Sequence, residues 1–362
     1  MDKKQEAFGR RMAEILNYGS LNLAMAIGYR TGLFEAMAAF SQPATPADIA
    51  ALAGMSPRYV REWLGVMCTG HVVEILTGDD GIERYLLPPE HAVFLVKKTG
   101  NTNLAVYTQE IPLLTTCAME AVVEAFQTGE GIPYRVYSRF QAFMSELANA
   151  KHRQVLIETF LPSVADGVLV ERLKRGIRVC DFGCGEGVAM LLMAQAFPLS
   201  RFIGIDSDAG AIDSARSSIE AMGLSNADTW LMDASTLKDD DRHCGIFDYV
   251  FAFDAIHDQS RPLEALQSVS HILAPGGMFS MVDIAAHSTH RQNHNHPMGP
   301  FLYTVSLMHC LPVGLIGGGA GLGMMWGQEQ AVDLLRQAGF SDIAVCEIPQ
   351  DPFNLHFYCR KG

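Results

Sequence analysis

The chain of 362 residues carries 27 Lys+Arg against 40 Asp+Glu, a formal net charge of −13, and is 49% hydrophobic. That apolar content supports a buried core and excludes a disordered chain. The acidic balance argues against a nucleic-acid coat or an anionic-membrane binder, both of which need clustered Lys and Arg, and the length suits two domains or one large domain with an appendage.

The first sixteen residues (MDKKQEAFGRRMAEIL) place no apolar stretch beside their charges, so they read as neither signal peptide nor anchor. Residues 8–40 carry apolar positions at helical spacing (Phe8, Met12, Ile15, Leu16, then Leu21 to Met37), with breaks expected at Gly19, Gly28 and Gly32. Thr45-Pro46-Ala47-Asp48 opens a helix to Leu52, and Ser56-Pro57 opens another, Arg58 to Cys68. A strand over 71–76, a turn at Gly78-Asp79-Asp80-Gly81 and a strand over 82–87 complete the outline of a winged helix. Residues 1–95 hold eight Lys+Arg and eleven Asp+Glu, and the second helix offers only Arg58 and Arg61 with Glu62 beside them. Phosphate neutralisation dominates DNA affinity, so this module reads as a dimerisation or lid element, not a DNA reader. Residues 100–175 read as bridging helices with a loop at 129–133.

From residue 177 strands alternate with helices: IRVCDFG, RFIGID, TWLMDA, FDYVFAFD and GMFSMVDIA, the last entered through a turn at Leu273-Ala274-Pro275-Gly276-Gly277. The alternation predicts a parallel sheet covered on both faces; a helix over 329–338 and the strands IAVCEI and LHFYCR add an antiparallel ending. Residues 292–328 contain no Asp, Glu, Lys or Arg, yet Pro297, Pro300, Pro312 and the run GLIGGGAGLG make a poor spanning helix. The segment reads as the wall of a buried pocket, and no membrane partner is expected. The eight cysteines show no CxxC pair and read as reduced core residues of a cytoplasmic protein.

The chemistry-bearing motif is Asp181-Phe182-Gly183-Cys184-Gly185-Glu186-Gly187, a strand end followed by a glycine loop and the helix Val188–Phe197. The glycines let backbone approach a ligand, and the acid before them suits an amino-acid ammonium better than a diphosphate. The next strand ends in Asp206-Ser207, where a carboxylate can accept from two ribose hydroxyls. The third ends in Asp233-Ala234, where an acid can accept from an adenine amino group, and Phe253-Asp254 ends the fourth. A ligand across these carboxyl ends would lie at the topological switch point.

This series resembles the class I S-adenosylmethionine-dependent methyltransferases, and the N-terminal module extends the resemblance to the winged-helix small-molecule O-methyltransferases and their bacterial relatives. The resemblance implies an α/β fold: a Rossmann-like seven-stranded methyltransferase sheet with an N-terminal, mainly helical winged-helix domain. It implies domains at 1–98 (winged helix, dimerisation), 99–175 (helical linker and active-site cover) and 176–362 (cofactor binding), with S-adenosylmethionine as cofactor. It implies a homodimer acting on a small-molecule methyl acceptor, without nucleic acid. The cofactor would be held by Asp181, Gly183, Cys184, Gly185, Gly187, Asp206, Ser207, Asp233, Ala234, Phe253 and Asp254. In these O-methyltransferases a His-Asp pair beyond the fourth strand contains the general base, and His257-Asp258 falls on it.

His257 is thus a base or an ordering element of its loop, with Asp283 or Glu329 as its acidic partner. His309, the ionisable group of the uncharged segment, is a second catalytic candidate or a satisfied core histidine. Tyr134, Tyr137, Phe140, Tyr303, Met308 and Trp326 are the expected pocket lining, with Phe301 beside them. His287, His290, His294 and His296 lack metal-site spacing and read as a solvated lid, and the transfer itself requires no metal. A hydroxyl acceptor is the first reading. S-methylation of a small thiol, a winged-helix regulator that senses S-adenosylmethionine, and a noncatalytic cofactor-binding subunit are the others.

Overall fold

A computed structural model describes residues 2–98, 103–348 and 351–362. The chain divides into two compact units, Met1–Leu113 and Leu114–Gly362; the expected boundary after residue 98 falls on residues outside those described.

In the first unit one helix runs unbroken from Lys3 to Thr31, through Gly19 and Gly28, and stops where Gly32 takes φ 73°. The breaks expected at Gly19 and Gly28 do not occur. At Gly28 the reason is packing: a Cβ there would come within 2.5 Å of Trp63 Cζ2. The Trp63 indole N–H also donates to the Ala24 carbonyl at 2.9 Å, so this close approach is fixed. Thr45 and Asp48 form a reciprocal cap on the helix Pro46–Ala53, and Pro57–Thr69 follows. The wing is β1 (Glu74–Thr77) paired antiparallel with β2 (Glu83–Leu86). β1 starts three residues later than expected because His71 sits in a turn with φ 56°. Phe34, Ile49, Leu64 and Met67 fill the core of this unit.

The second unit holds a seven-stranded sheet. Its strands are β3 (Arg178–Phe182), β4 (Arg201–Asp206), β5 (Ala227–Leu231), β6 (Phe247–Phe253), β7 (Leu273–Ile284), β8 (Asp342–Ile348) and β9 (Asp351–Arg360). Their order is β5-β4-β3-β6-β7-β9-β8, parallel except for β9, which runs antiparallel to both neighbours. Val250 and Ala252 of β6 face one core and Tyr249 and Phe251 the other, the period-two alternation of a sheet buried on both faces. The turn expected at 273–277 lies inside β7, where an irregular register opposite Phe247–Tyr249 absorbs it.

The uncharged segment folds as a helix Gly299–Val305, one wide turn Ser306–Cys310 and a short helix Leu311–Gly314. Pro312 has no N–H to return to the Met308 carbonyl, which favours widening the ladder there. No helix among the described residues is long and apolar enough to cross a membrane. Cys180, Cys310 and Cys359 are buried as expected of core thiols, whereas Cys244 and Cys346 are exposed.

Candidate active site

The glycine loop is built at the mouth of β3. Gly183, Gly185 and Gly187 all have positive φ (77°, 53° and 73°), which only glycine adopts without strain. The Gly183 and Cys184 amides donate to the Ile205 carbonyl, tying the loop to β4. Asp206, at the end of β4, accepts from the Gly185 N–H at 2.8 Å and through its other oxygen from the Asp208 N–H at 2.9 Å. One carboxylate therefore sets the loop, and each oxygen keeps a lone pair for a ligand. A Cβ on Gly185 would meet nothing within 4 Å, so the loop faces open space there.

Asp181 is buried, and burial pushes its carboxyl up to about 8 against the Met190 N–H that pulls it down. A cation nearby would repay that desolvation. Asp233 is exposed at the end of β5 and caps the turn after it, accepting from the Ser235 N–H and hydroxyl. Ser207 is exposed and Ala234 buried. Phe253 packs against Phe160 and His152, and Asp254 adopts φ 50°, a left-handed conformation that a non-glycine residue holds only under constraint.

Beyond β6 lies a buried polar cluster. Parallel pairing sets Phe253 opposite Val282, so the residues after each lie side by side. The His257 ring bonds through Nδ1 to Asp283 Oδ1 at 2.8 Å, and its Nε2 lies 3.4 Å from Asp258 Oδ1. Of the two acids expected to compete for His257, the structure brings Asp283; Glu329 instead binds His287 Nδ1 at 2.7 Å and the Ser288 N–H. Burial alone would lower the His257 pKa, but Asp283 and Asp258 outweigh it and hold it well above its ordinary value. His309 joins from the wide turn, with Nδ1 3.9 Å from Asp258 Oδ2, and burial lowers its pKa. Among the described residues its Nε2 is buried without a hydrogen-bond partner, as are Asp258 Oδ1 and Asp283 Oδ2. Cys310, which the sequence hides in an apolar run, completes the cluster, and burial pushes its thiol up to about 12.

Tyr137 and Phe140 pack on the His309 ring, with centroids at 4.8 and 4.9 Å, and Tyr134 lies at 6.2 Å. Met308, next to His309 in the chain, is buried. The other two lining candidates sit elsewhere: Trp326 belongs to the main sheet core, and the Tyr303 hydroxyl accepts from Asn293 while its ring meets His290. The His-rich stretch is largely exposed, as expected of a solvated segment, and it is anchored at its ends. The Asn293 side chain accepts from the His287 N–H and donates to its carbonyl, and the His296 ring bonds the Ala285 carbonyl.

Family models match both units: residues 19–97 match an Rv2258c-like winged HTH domain, and residues 173–339 match a methyltransferase domain. The chain joins a winged helix-turn-helix domain to a methyltransferase domain. Over 115 residues it is 30% identical to trans-aconitate 2-methyltransferase of Methylobacterium radiotolerans, covering 31% of this chain and 40% of that protein. Over 118 residues it is 27% identical to (S)-coclaurine N-methyltransferase of Papaver somniferum, covering 33% and 32%. The chain thus spans less than half the length of these curated relatives. The human N-acetylserotonin methyltransferase structure, in complex with SAM, superposes over all of both chains with a TM-score of 0.66 at 16% identity, a likeness of fold. In the methyltransferase domain the glycine cradle, the free lone pairs of Asp206 and the buried acid Asp181 fit an adenosine-bearing, cationic S-adenosylmethionine.

Proposed function

We propose that the protein transfers a methyl group from S-adenosylmethionine to the hydroxyl of a small molecule. One observation carries the reading. The glycine loop with Asp206 and the buried His257–Asp283 pair with Asp258 stand at the carboxyl ends of neighbouring strands of one sheet. Ligands of such sheets bind at that edge.

S-adenosylmethionine supplies a methyl on a positively charged sulfur. The chain's residues would hold and orient it: Asp206 would accept from the ribose hydroxyls, Asp233 from the adenine amino group, and Asp181 would serve the amino-acid end. Its methyl carbon would be the electrophile for the acceptor oxygen, and the departing sulfur would keep the electron pair of the carbon–sulfur bond. The acceptor's proton would pass to the deprotonated His257–Asp258 pair, which Asp283 orients; because the neighbouring carboxylates hold His257 charged beyond its ordinary range, this step is favoured as pH rises. Tyr137, edge-on to His309, and Phe140, tilted against it, keep water from the cluster. In-line displacement depends chiefly on alignment, so these residues contribute by position.

The winged helix serves as an assembly module in a cytoplasmic homodimer. Arg58, one of the two basic residues of its second helix, is already paired with Glu62, which leaves little charge for phosphate. The long N-terminal helix exposes Phe8, Met12, Ile15, Leu16 and Leu23, an apolar stripe suited to a second copy.

The test is a panel of phenols, alcohols, amines and thiols read by S-adenosylhomocysteine release, repeated with His257→Ala. Turnover of a hydroxyl acceptor is expected. It should fall by orders of magnitude in the variant with S-adenosylhomocysteine binding kept. Turnover of a thiol with little dependence on His257 would overturn the hydroxyl reading.

A further inference from the structure

We propose that Asp254 selects the methyl acceptor, favouring hydroxyl compounds that also carry an ammonium group: amino alcohols and aminoalkyl phenols. The inference rests on the methyl-transfer reading and names the substrate class of that same site.

The first argument is place. Asp254 follows β6, and its N–H donates to the Val282 carbonyl of β7 at 2.9 Å. The charged groups that act on its carboxyl are Lys151, Asp283, His257 and Asp351. Asp283 lies on β7 and Asp351 on β9, both on the side of β6 away from β3 and its glycine loop. Asp254 therefore sides with the acceptor end of the site, not with the cradle at Asp206.

The second is access. The Asp254 side chain is exposed, yet burial pushes its carboxyl up to about 6. A carboxyl that solvent reaches while protein crowds it lines a recess, and at neutral pH it is ionised.

The third is the count of donors. Lys151, on the helix Ser138–Val155, is the cation at hand, and it is paired with Asp351, which is 8% exposed. Asn354 gives its side-chain N–H to the same Asp351 at 3.0 Å, and its Oδ1 is buried without a partner among the described residues. His152, with its ring centroid 5.2 Å from that of Phe253 just before Asp254, has Nδ1 in the same condition. Burial lowers the His152 pKa to about 4, so this ring brings no charge at neutral pH. Around Asp254 the protein thus has unmatched acceptors and a cation already engaged. Buried acceptors need donors and a carboxylate needs a counter-charge; an ammonium, with its N–H donors and positive charge, supplies both. An acceptor bearing a carboxylate or phosphate would add charge of the wrong sign, and a neutral one would leave Asp254 uncompensated.

The test is calorimetric titration of the full chain, loaded with S-adenosylhomocysteine, with three phenols that differ in the tail: tyramine (ammonium), para-ethylphenol (neutral) and para-hydroxyphenylpropionate (carboxylate). Tyramine should bind about tenfold or more tighter than para-ethylphenol, as one charge-assisted bond requires, and the propionate should bind weakest. In Asp254→Asn the preference for tyramine should shrink to within about threefold, with S-adenosylhomocysteine affinity kept. Equal binding of tyramine and para-ethylphenol by the parent would overturn the proposal. So would loss of S-adenosylhomocysteine binding in an Asp254→Asn protein that still unfolds cooperatively, which would give this carboxylate to the cofactor. If the variant does not fold, the parent's order of affinities decides the case alone. A parent that binds S-adenosylhomocysteine without preferring tyramine refutes this inference alone; one that binds no S-adenosylhomocysteine refutes methyl transfer and this inference with it.

Discussion

Replacing Asp206 by Asn tests whether one carboxylate both shapes the glycine loop and holds the ligand. Its two oxygens accept from the Gly185 and Asp208 amides at 2.8 and 2.9 Å. In Asp206→Asn one oxygen becomes an NH₂ group, so one of those amides faces another donor and the loop loses a charge-assisted bond. Such a bond contributes about 1.5–3 kcal/mol, which for a unit of this size shifts Tm by on the order of 5 °C. The ribose hydroxyls lose the ionised acceptor as well. Two weakened bonds at about 1.5 kcal/mol each come to about 3 kcal/mol, or roughly a hundredfold in Kd. Calorimetric titration with S-adenosylhomocysteine measures that loss, and thermal unfolding checks the fold. A Kd within about threefold of the parent, with unfolding still cooperative, would refute the role assigned to Asp206.

Three other outcomes are expected. Gly183→Ala should destabilise the domain, because its Cβ would lie 2.8 Å from that of Ala255, whereas Gly185→Ala meets open space. The Gly185 variant should cost about 1 kcal/mol of stability, from its φ of 53°, and should weaken S-adenosylhomocysteine binding by more than that; unchanged affinity would contradict the cradle. Asp181, with its pKa raised to about 8, is mostly protonated at pH 7 in the empty fold. A raised acid pKa disfavours the folded state progressively as pH climbs from about 4 to 8. A cationic ligand reverses this, so binding at pH 7 should release close to one proton, read as heats that vary with buffer ionisation and lost in Asp181→Asn; buffer-independent heats in the parent would exclude that role. Leu16→Glu, at a side chain 67% exposed on the N-terminal helix, should convert the proposed dimer to monomers, read by light scattering. A monomeric parent would end the assembly reading.

The sheet was legible because its signals are local. Each strand of the parallel part carries its own apolar run, and Asp181, Asp206 and Asp233 mark strand ends by sequence alone. The choice between Asp283 and Glu329 was not local: it depends on β6 and β7 lying side by side, which brings residue 283 within reach of residue 257. Gly28 misled for a related reason, since its low helix propensity is outweighed by the Trp63 ring that needs the missing Cβ. Cys310 carried no signal, being one small thiol in an apolar run 52 positions after Asp258, and only the wide turn at Ser306–Cys310 brings it to the cluster.

The insertion of β9 between β7 and β8 has a bearing on how the protein is made. While the chain emerges from the ribosome, β7 presents a bare strand edge of buried-type residues, and β8 has nothing to pair with until β9 follows it. The last strand closes both gaps at once, through contacts that reach back about 80 residues, from Phe357 to Met281. Such late, long-range closure is slow, and in the interval the open edge is a template for wrong partners. Expression at lower temperature or with added chaperones should therefore raise the soluble yield of the whole chain. A chain stopped before β9 should aggregate even though the cofactor-binding strands β3 to β6 are all present.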